Sequence, residues 1–207
     1  MMPGSRAHAD LGRYLEEYAT SQAAEGRDLA LLSLAATHDL AREYACTTQE
    51  VEMAAVARRV MPERYQRNYG TLGWEGQLRL MQSTVAVVGA GGLGGWIIEG
   101  LARMGVGHLT IIDGDTFQDN NLNRQLGCTE RTLGRPKAEC MVERAREVNG
   151  AVRVTAHVAW LTEENGVSLL SGADVVVDAL DNLPTRFVLE RLAAKLDRPM
   201  VHGAIGG

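Results

Sequence analysis

The chain has 207 residues, of which 45% are hydrophobic and 23% charged, with a formal net charge of −5. Those proportions fit one globular domain with at most a small appendage, and the acidic balance argues against a protein that coats nucleic acid. No basic-then-apolar leader opens the sequence, and Glu99 and Arg103 interrupt its longest apolar stretch. Neither secretion nor membrane spanning is expected, and a cytoplasmic location is the default. Cys46, Cys128 and Cys140 form no C-x-x-C pair, so the cysteines suggest neither a zinc site nor a disulfide framework.

In chain order, residues 1 to about 9 read as a loose terminus. From Leu11 to about Val60 the composition is rich in Ala, Leu and Glu, and Leu29, Leu32, Ala36 and Leu40 recur at helical spacing. Thr47 to Glu50 has the T-x-x-E form of a capping box, opening a helix that ends near Pro62. The expectation is a separate helical segment, residues 1–62, built of about three short helices. The turn at Cys46-Thr47-Thr48 invites a helix-turn-helix reading. The segment carries six Arg against nine Asp and Glu, which favours a docking or dimer-supporting bundle and no DNA. A polar linker from Pro62 to Gly70 and a short helix near Glu75–Met81 then lead into a second domain, 63–207.

That domain opens on Val85-Ala86-Val87-Val88, an apolar run without alternation that reads as a strand covered on both faces. It enters Gly89-Ala90-Gly91-Gly92-Leu93-Gly94, which fits G-x-G-x-x-G, and an apolar-rich helix follows from Trp96 to Met104. Such glycines permit a tight turn and a close backbone approach, and the helix N-terminus offers N–H groups to a phosphate. Further strands are expected over 108–113, 152–158, 173–178 and 199–203, with helices over 134–148 and 184–196. The order is that of a Rossmann-like, doubly wound α/β domain with a mainly parallel sheet and helices on both faces. The sequence stops at Gly206-Gly207, directly after a strand, so an uncovered sheet edge and poor solubility or oligomerisation are expected.

In an open parallel sheet the ligand lies at the carboxyl ends of the strands. Asp113 falls about twenty residues beyond the glycines, the spacing of a carboxylate that holds ribose hydroxyls. Up to this point an NAD-dependent oxidoreductase fits equally well. Arg124, Lys137 and Asp181 then add two cations and a carboxylate at successive strand ends. A dinucleotide does not call for that set. A triphosphate under attack does, because charge grows on its oxygens and Mg²⁺ takes carboxylate support.

Arg64-Tyr65-Gln66-Arg67-Asn68, the glycine motif, Asp113-Gly114-Asp115, Asn121-Leu122-Asn123-Arg124-Gln125, Gly134-Arg135-Pro136-Lys137 and Asp181-Asn182 together resemble the ThiF/MoeB/HesA family, bacterial relatives of ubiquitin-activating enzymes. The resemblance covers about Arg64 to Gly207. It implies an adenylyltransferase using ATP and Mg²⁺ to activate the C-terminal glycine of a ubiquitin-like sulfur-carrier protein ending in Gly-Gly, as in molybdopterin- or thiamine-type sulfur transfer. Some relatives activate a carboxylate on a modified tRNA base instead. Position by position, it implies a nucleotide cradle of Gly89, Gly91, Gly92 and Gly94, with Gln125 among the nucleotide-binding residues. Asp113 would hold the ribose, Asn121 and Arg124 the phosphates, Lys137 the α-phosphate and Asp181 the Mg²⁺. Arg67 would reach the site of the other subunit in a homodimer. Asn68 departs from the family, where glutamine is usual. An inactive relative that holds ATP or a carrier without turnover is the other alternative. His202 reads as a packed strand residue and Cys128 as a loop residue.

Overall fold

The computed structural model describes residues 15, 19–24 and 27–203. The expected loose terminus and the Gly206-Gly207 end lie outside them. The chain divides into two compact units, Met1–Gln82 and Ser83–Gly207.

The N-terminal unit is not an all-helical bundle. Strands β1 (Thr20–Ala24), β2 (Arg27–Leu32) and β3 (Val60–Pro62) form a sheet in that order, β1 antiparallel and β3 parallel to β2. Packed with it among the described residues are α1 (Leu34–Glu43), α2 (Thr48–Ala57) and α3 (Tyr69–Gln82), the last broken at Gly73. Leu29 and Leu32 therefore belong to a strand, whereas Ala36 and Leu40 belong to α1. The residues between them show why the helical spacing misleads. Ser33 is the N-cap of α1, its side chain accepting from the Ala36 N–H at 3.2 Å, so the helix cannot extend back to Leu29. On β2, Leu29 and Leu31 join a cluster with Val56, Met61, Tyr65 and Met81, while Leu32 joins one with Ala36, Leu40, Val51 and Ala55. A strand buried on both faces loses the alternation that would mark it. The capping box at Thr47–Glu50 is present as expected.

Residues 62–70 do not form a linker. Pro62 ends β3, Glu63–Asn68 is a 3₁₀ helix, and Tyr65 is buried in the unit's core. The compact boundary thus falls at Gln82/Ser83, twenty residues beyond the composition change at Pro62.

The second unit is a five-stranded, wholly parallel sheet ordered β6-β5-β4-β7-β8. In chain order it runs β4 (Thr84–Val88), α4 (Gly92–Met104), β5 (His108–Ile112), α5 (Lys137–Val148), β6 (Arg153–His157), α6 (Glu163–Leu170), β7 (Val175–Asp178), α7 (Leu183–Lys195) and β8 (Met200–His202). This is the doubly wound α/β fold expected. The chain winds outward from β4 to β6 and then returns to β7 on the other side of β4. Strand order reverses beside β4, and a ligand crevice belongs there. Ala86, Val88, Ile112 and Val176 pack one face of the sheet against Leu170 of α6 and Leu189 and Leu192 of α7. Among the described residues no helix is long and apolar enough to cross a membrane.

The N-terminal unit buries a carboxylate. Glu52 accepts from the Tyr65 hydroxyl at 3.1 Å and lies 3.2 Å from the Arg64 guanidinium. Burial lifts its carboxyl above the ordinary glutamate range despite the Arg64 charge and the Tyr65 hydrogen bond. A carboxyl whose folded value is raised stabilises the fold below its unfolded value, about 4.3, and loses that contribution as pH rises through the raised value. Glu52→Gln keeps an acceptor for Tyr65 and removes the titration. Unfolding midpoints measured against pH should therefore show wild type losing stability relative to Glu52→Gln from the ordinary carboxylate range upward. Parallel curves would mean that Glu52 does not titrate differently in the folded chain.

Candidate functional site

The carboxyl ends of β4, β5 and β7 open on a cleft of about 760 Å³. Its floor is the turn from β4 into α4. Gly89 leaves the strand at a φ of +98°, and a Cβ there would lie 2.6 Å from the Ala179 carbonyl oxygen. A Cβ on Gly94 would lie 1.9 Å from the Gly89 oxygen. Both positions therefore require glycine, the first for conformation and closeness, the second for closeness alone. Gly91 is the N-cap of α4 and offers no side-chain cap, and Gly91, Gly92 and Leu93 all line the cleft. The first-turn N–H groups of α4 thus stand beside the cleft as donors for an anion.

One wall comes from β5 and the loop behind it. Asp113 accepts from the Ala90 N–H at 2.7 Å through one oxygen and from the Asp115 N–H at 2.8 Å through the other. Its carboxylate ties the end of β5 to the glycine turn while still lining the cleft. Burial lifts the Asp113 carboxyl above its usual range, opposed by these two N–H donors and the Lys137 charge. Lys137, only 7% exposed, opens α5. A cation in a helix's first turn works against the helix dipole. Asp115 counters that: it accepts from the Lys137 ammonium at 2.6 Å through its side chain and from the Lys137 N–H at 2.9 Å through its carbonyl. Burial pushes the Asp115 carboxyl up, but the Lys137 hydrogen bond and charge and the Thr116 N–H hold it below the usual range.

Arg124 and Gln125 line the same side. The Arg124 guanidinium is folded back onto the Asn120 carbonyl at 2.7 Å and the Asn123 side chain at 3.1 Å. Gln125 is buried against Gly91, and its Oε1 has no hydrogen-bond partner among the described residues. A buried, unpaired amide oxygen at a cleft wall is a place where a ligand donor is missing. Asn121 does not line the cleft. It is buried in the loop, where its Oδ1 accepts from the Gln118 N–H at 3.0 Å. Gly94 likewise sits behind the turn and not on its surface.

The opposite wall comes from β7 and the start of α7, with Asp181, Asn182 and Arg186. Asp181 is exposed, and its carboxylate meets Asn182 Nδ2 at 3.4 Å. Arg67 lies on the 3₁₀ helix of the N-terminal unit, apart from the unit that holds all the other candidates. Among the described residues, no group of three or more His, Cys, Asp or Glu side chains could hold a metal by itself.

Several cleft residues escaped the sequence reading. Trp160, in the loop after β6, is 65% exposed and lays its indole against Gly114; a Cβ there would lie 2.7 Å from the ring. Trp96 lines the mouth from α4. Nothing in either residue's neighbourhood in sequence marks it. Asp115 as the partner of Lys137 was also unassigned, although two aspartates one residue apart beyond a strand are a visible signal. His202 is a strand residue, as expected, but it is exposed, and its Nδ1 lies 2.7 Å from Asp178.

Known proteins resemble this unit in sequence and in shape. A sulfur carrier protein adenylyltransferase of Thermus thermophilus is 41% identical over 145 residues, covering 69% of this chain and 54% of the relative. A SAMP-activating enzyme E1 of Haloferax volcanii is 43% identical over 145 residues, again 69% of this chain and 54% of the relative. The chain thus spans about half the length of these two relatives. In three dimensions, the E. coli tRNA N6-threonylcarbamoyladenosine dehydratase TcdA, solved in complex with ATP, superposes with a TM-score of 0.67 at 33% identity, covering 70% of this chain and 60% of that one. The ThiF family profile matches residues 65–207, taking in the glycine turn and both walls of the cleft; the chain belongs to the ThiF family.

Proposed function

We propose that the chain is an adenylyltransferase that joins AMP from ATP to the C-terminal glycine carboxylate of a ubiquitin-like sulfur-carrier protein, releasing pyrophosphate. The observation that carries this reading is the buried Lys137, held by Asp115 at the mouth of a glycine cradle. A fixed ammonium there suits a phosphate on which charge accumulates during attack. The relatives at 41% and 43% identity bear names of carrier-activating enzymes, and a structural neighbour was solved with ATP. The unpaired Gln125 oxygen and the Asp113 carboxylate, which has a lone pair left on each oxygen, suit the donors of a nucleoside.

In this reading the nucleophile is a terminal carboxylate with an ordinary pKa of about 3.5, already ionised at neutral pH. No general base is needed. The work of the site is alignment and neutralisation. Arg124 turns from its loop carbonyl toward the phosphates, and the Trp160 indole offers an apolar wall for the base. Asp181, a lone carboxylate at the cleft edge, suits Mg²⁺, which takes one or two carboxylates and completes its shell with phosphate oxygens and water. When bound, the ion supplies positive charge to the departing pyrophosphate. The nucleotide-binding unit is Ser83–Gly207, the protein is a homodimer, and Arg67, carried by the N-terminal unit, serves the partner's site.

Carrier-dependent exchange of labelled pyrophosphate into ATP tests the reaction. Asp181→Ala should lower the exchange rate by about 10²–10³, with a much smaller effect on ATP affinity. Exchange at nearly the wild-type rate would remove Asp181 from the chemistry. Binding of NAD in place of ATP would sink adenylation altogether, and exchange driven by a modified tRNA but no carrier would move the substrate to the nucleic acid.

The dimer can be tested by complementation. Arg67→Ala and Lys137→Ala chains, each inactive alone, should regain part of the activity when mixed, because one hybrid site then carries neither lesion. A mixture as inactive as its parents would place Arg67 in its own subunit or outside the reaction.

A further inference from the structure

The end of β7 holds a polar cluster, centred on the buried Asp178, that the proposed reaction does not use. Ile112, Val88, Asp178 and His202 are register partners across β5, β4, β7 and β8, so they form one row along the carboxyl edge of the sheet. Ile112 and Val88 line the cleft, and the row continues past it into two polar residues. Asp178 is 0% exposed. One of its oxygens accepts the Leu180 N–H at 3.0 Å. The other lies 2.9 Å from Arg186 Nε and 2.7 Å from His202 Nδ1. Arg186 in turn donates through Nη2 to the Leu180 carbonyl at 2.6 Å.

Both backbone polar groups of Leu180 are therefore held by one ion pair. Two residues on, Asn182 caps α7, accepting the Thr185 N–H at 3.0 Å. Asp181 stands between these two fixed points and lines the cleft. Burying an ion pair is a poor way to stabilise a fold, because apolar residues of the same size commonly serve as well or better. Holding a short loop in one geometry is a use that apolar residues cannot supply.

We infer that Asp178 and Arg186 are positioning residues that clamp Leu180 and thereby fix the place of the Asp181 carboxylate in the cleft. This rests on the reading of Asp181 given above. His202 shares the Asp178 oxygen with Arg186 and so ties β8 to the same clamp.

The test uses Asp178→Asn and Arg186→Lys in the full chain, with two readouts. Amide hydrogen exchange by NMR should show the Leu180 N–H released at least about tenfold faster in Asp178→Asn, while the β4 and β5 amides keep their protection. Pyrophosphate exchange should show kcat down by about 10²-fold in both variants, with KM for ATP changed by no more than about threefold. Adding Asp181→Ala to either variant should cost little beyond Asp181→Ala alone, since the clamp acts through that carboxylate. Unchanged Leu180 protection, or a full extra loss in the double variants, overturns the clamp. So does a lowered melting temperature with wild-type kcat. Should Asp178→Asn fail to fold, Arg186→Lys carries the same kinetic and double-variant comparisons. If the wild-type chain neither binds nor turns over ATP, the adenylation reading falls, while Leu180 exchange still decides whether the clamp exists.

Discussion

The second unit depends on one close approach, where β4 turns into α4 against the end of β7. Gly89 can leave its strand at positive φ only because it lacks a Cβ, and the space a Cβ would occupy is taken by the Ala179 carbonyl. Gly94 then brings the first turn of α4 down onto the Gly89 oxygen. The consequence is geometric. With those atoms in contact, the N-terminus of α4 is pressed into the gap where the strand order reverses, and the outward-facing N–H groups have a fixed origin. Both walls of the cleft are placed relative to that origin.

Three buried or half-buried aspartates extend the same fixation outward, and each uses its carboxylate on the backbone as well as on the site. Asp113 bridges the Ala90 and Asp115 amides, joining the glycine turn to β5. Asp115 receives Lys137 through both its side chain and its carbonyl, joining β5 to α5. Asp178 takes the Leu180 amide and Arg186, joining β7 to α7. Each carboxylate sits just past or at the end of a strand, where ladder partners run out and the chain's N–H groups need acceptors. A single aspartate at such a place satisfies the backbone and sets a neighbouring charge at once.

Much of this was legible in the residues. The run Val85–Val88, the glycine spacing and the strand-end charges identified the central strand, the turn and the polar walls, because a parallel sheet buries both faces and concentrates polar residues at its carboxyl edge. The N-terminal unit was misread for the same physical reason. The β2 leucines are buried on two faces, so they show no alternation, and their spacing to α1 happens to match a helix; Ser33 was the overlooked boundary. Asn121 shows another limit. Its place in a polar motif pointed to a ligand, yet its side chain holds the Gln118 amide of its own loop. Sequence spacing locates a loop at the site but does not tell which of its amides face inward. Trp160 was invisible because its position depends on Gly114, from a different strand end.

The charge balance of the cleft bears on how it would discriminate. The chain is acidic overall, and two of the cations at the cleft are charge-paired: Lys137 faces Asp115 and Arg186 faces Asp178, while Arg124 rests on a neutral carbonyl. Unpaired cations would draw any polyanion, nucleic acid included. Paired ones carry little net potential at a distance and act only on an anion that enters far enough to hydrogen-bond them. Lys137 has further donors beyond the one given to Asp115, and the α4 N–H groups add directed dipoles without net charge. Discrimination then rests on shape and donor direction within a few ångströms. That is what a site needs if it must admit a nucleotide and ignore the bulk of cellular anions. The Asp115 and Asp178 pairings hold Lys137 and Arg186 in place before a ligand arrives, so those two donors need little reorganisation to meet one.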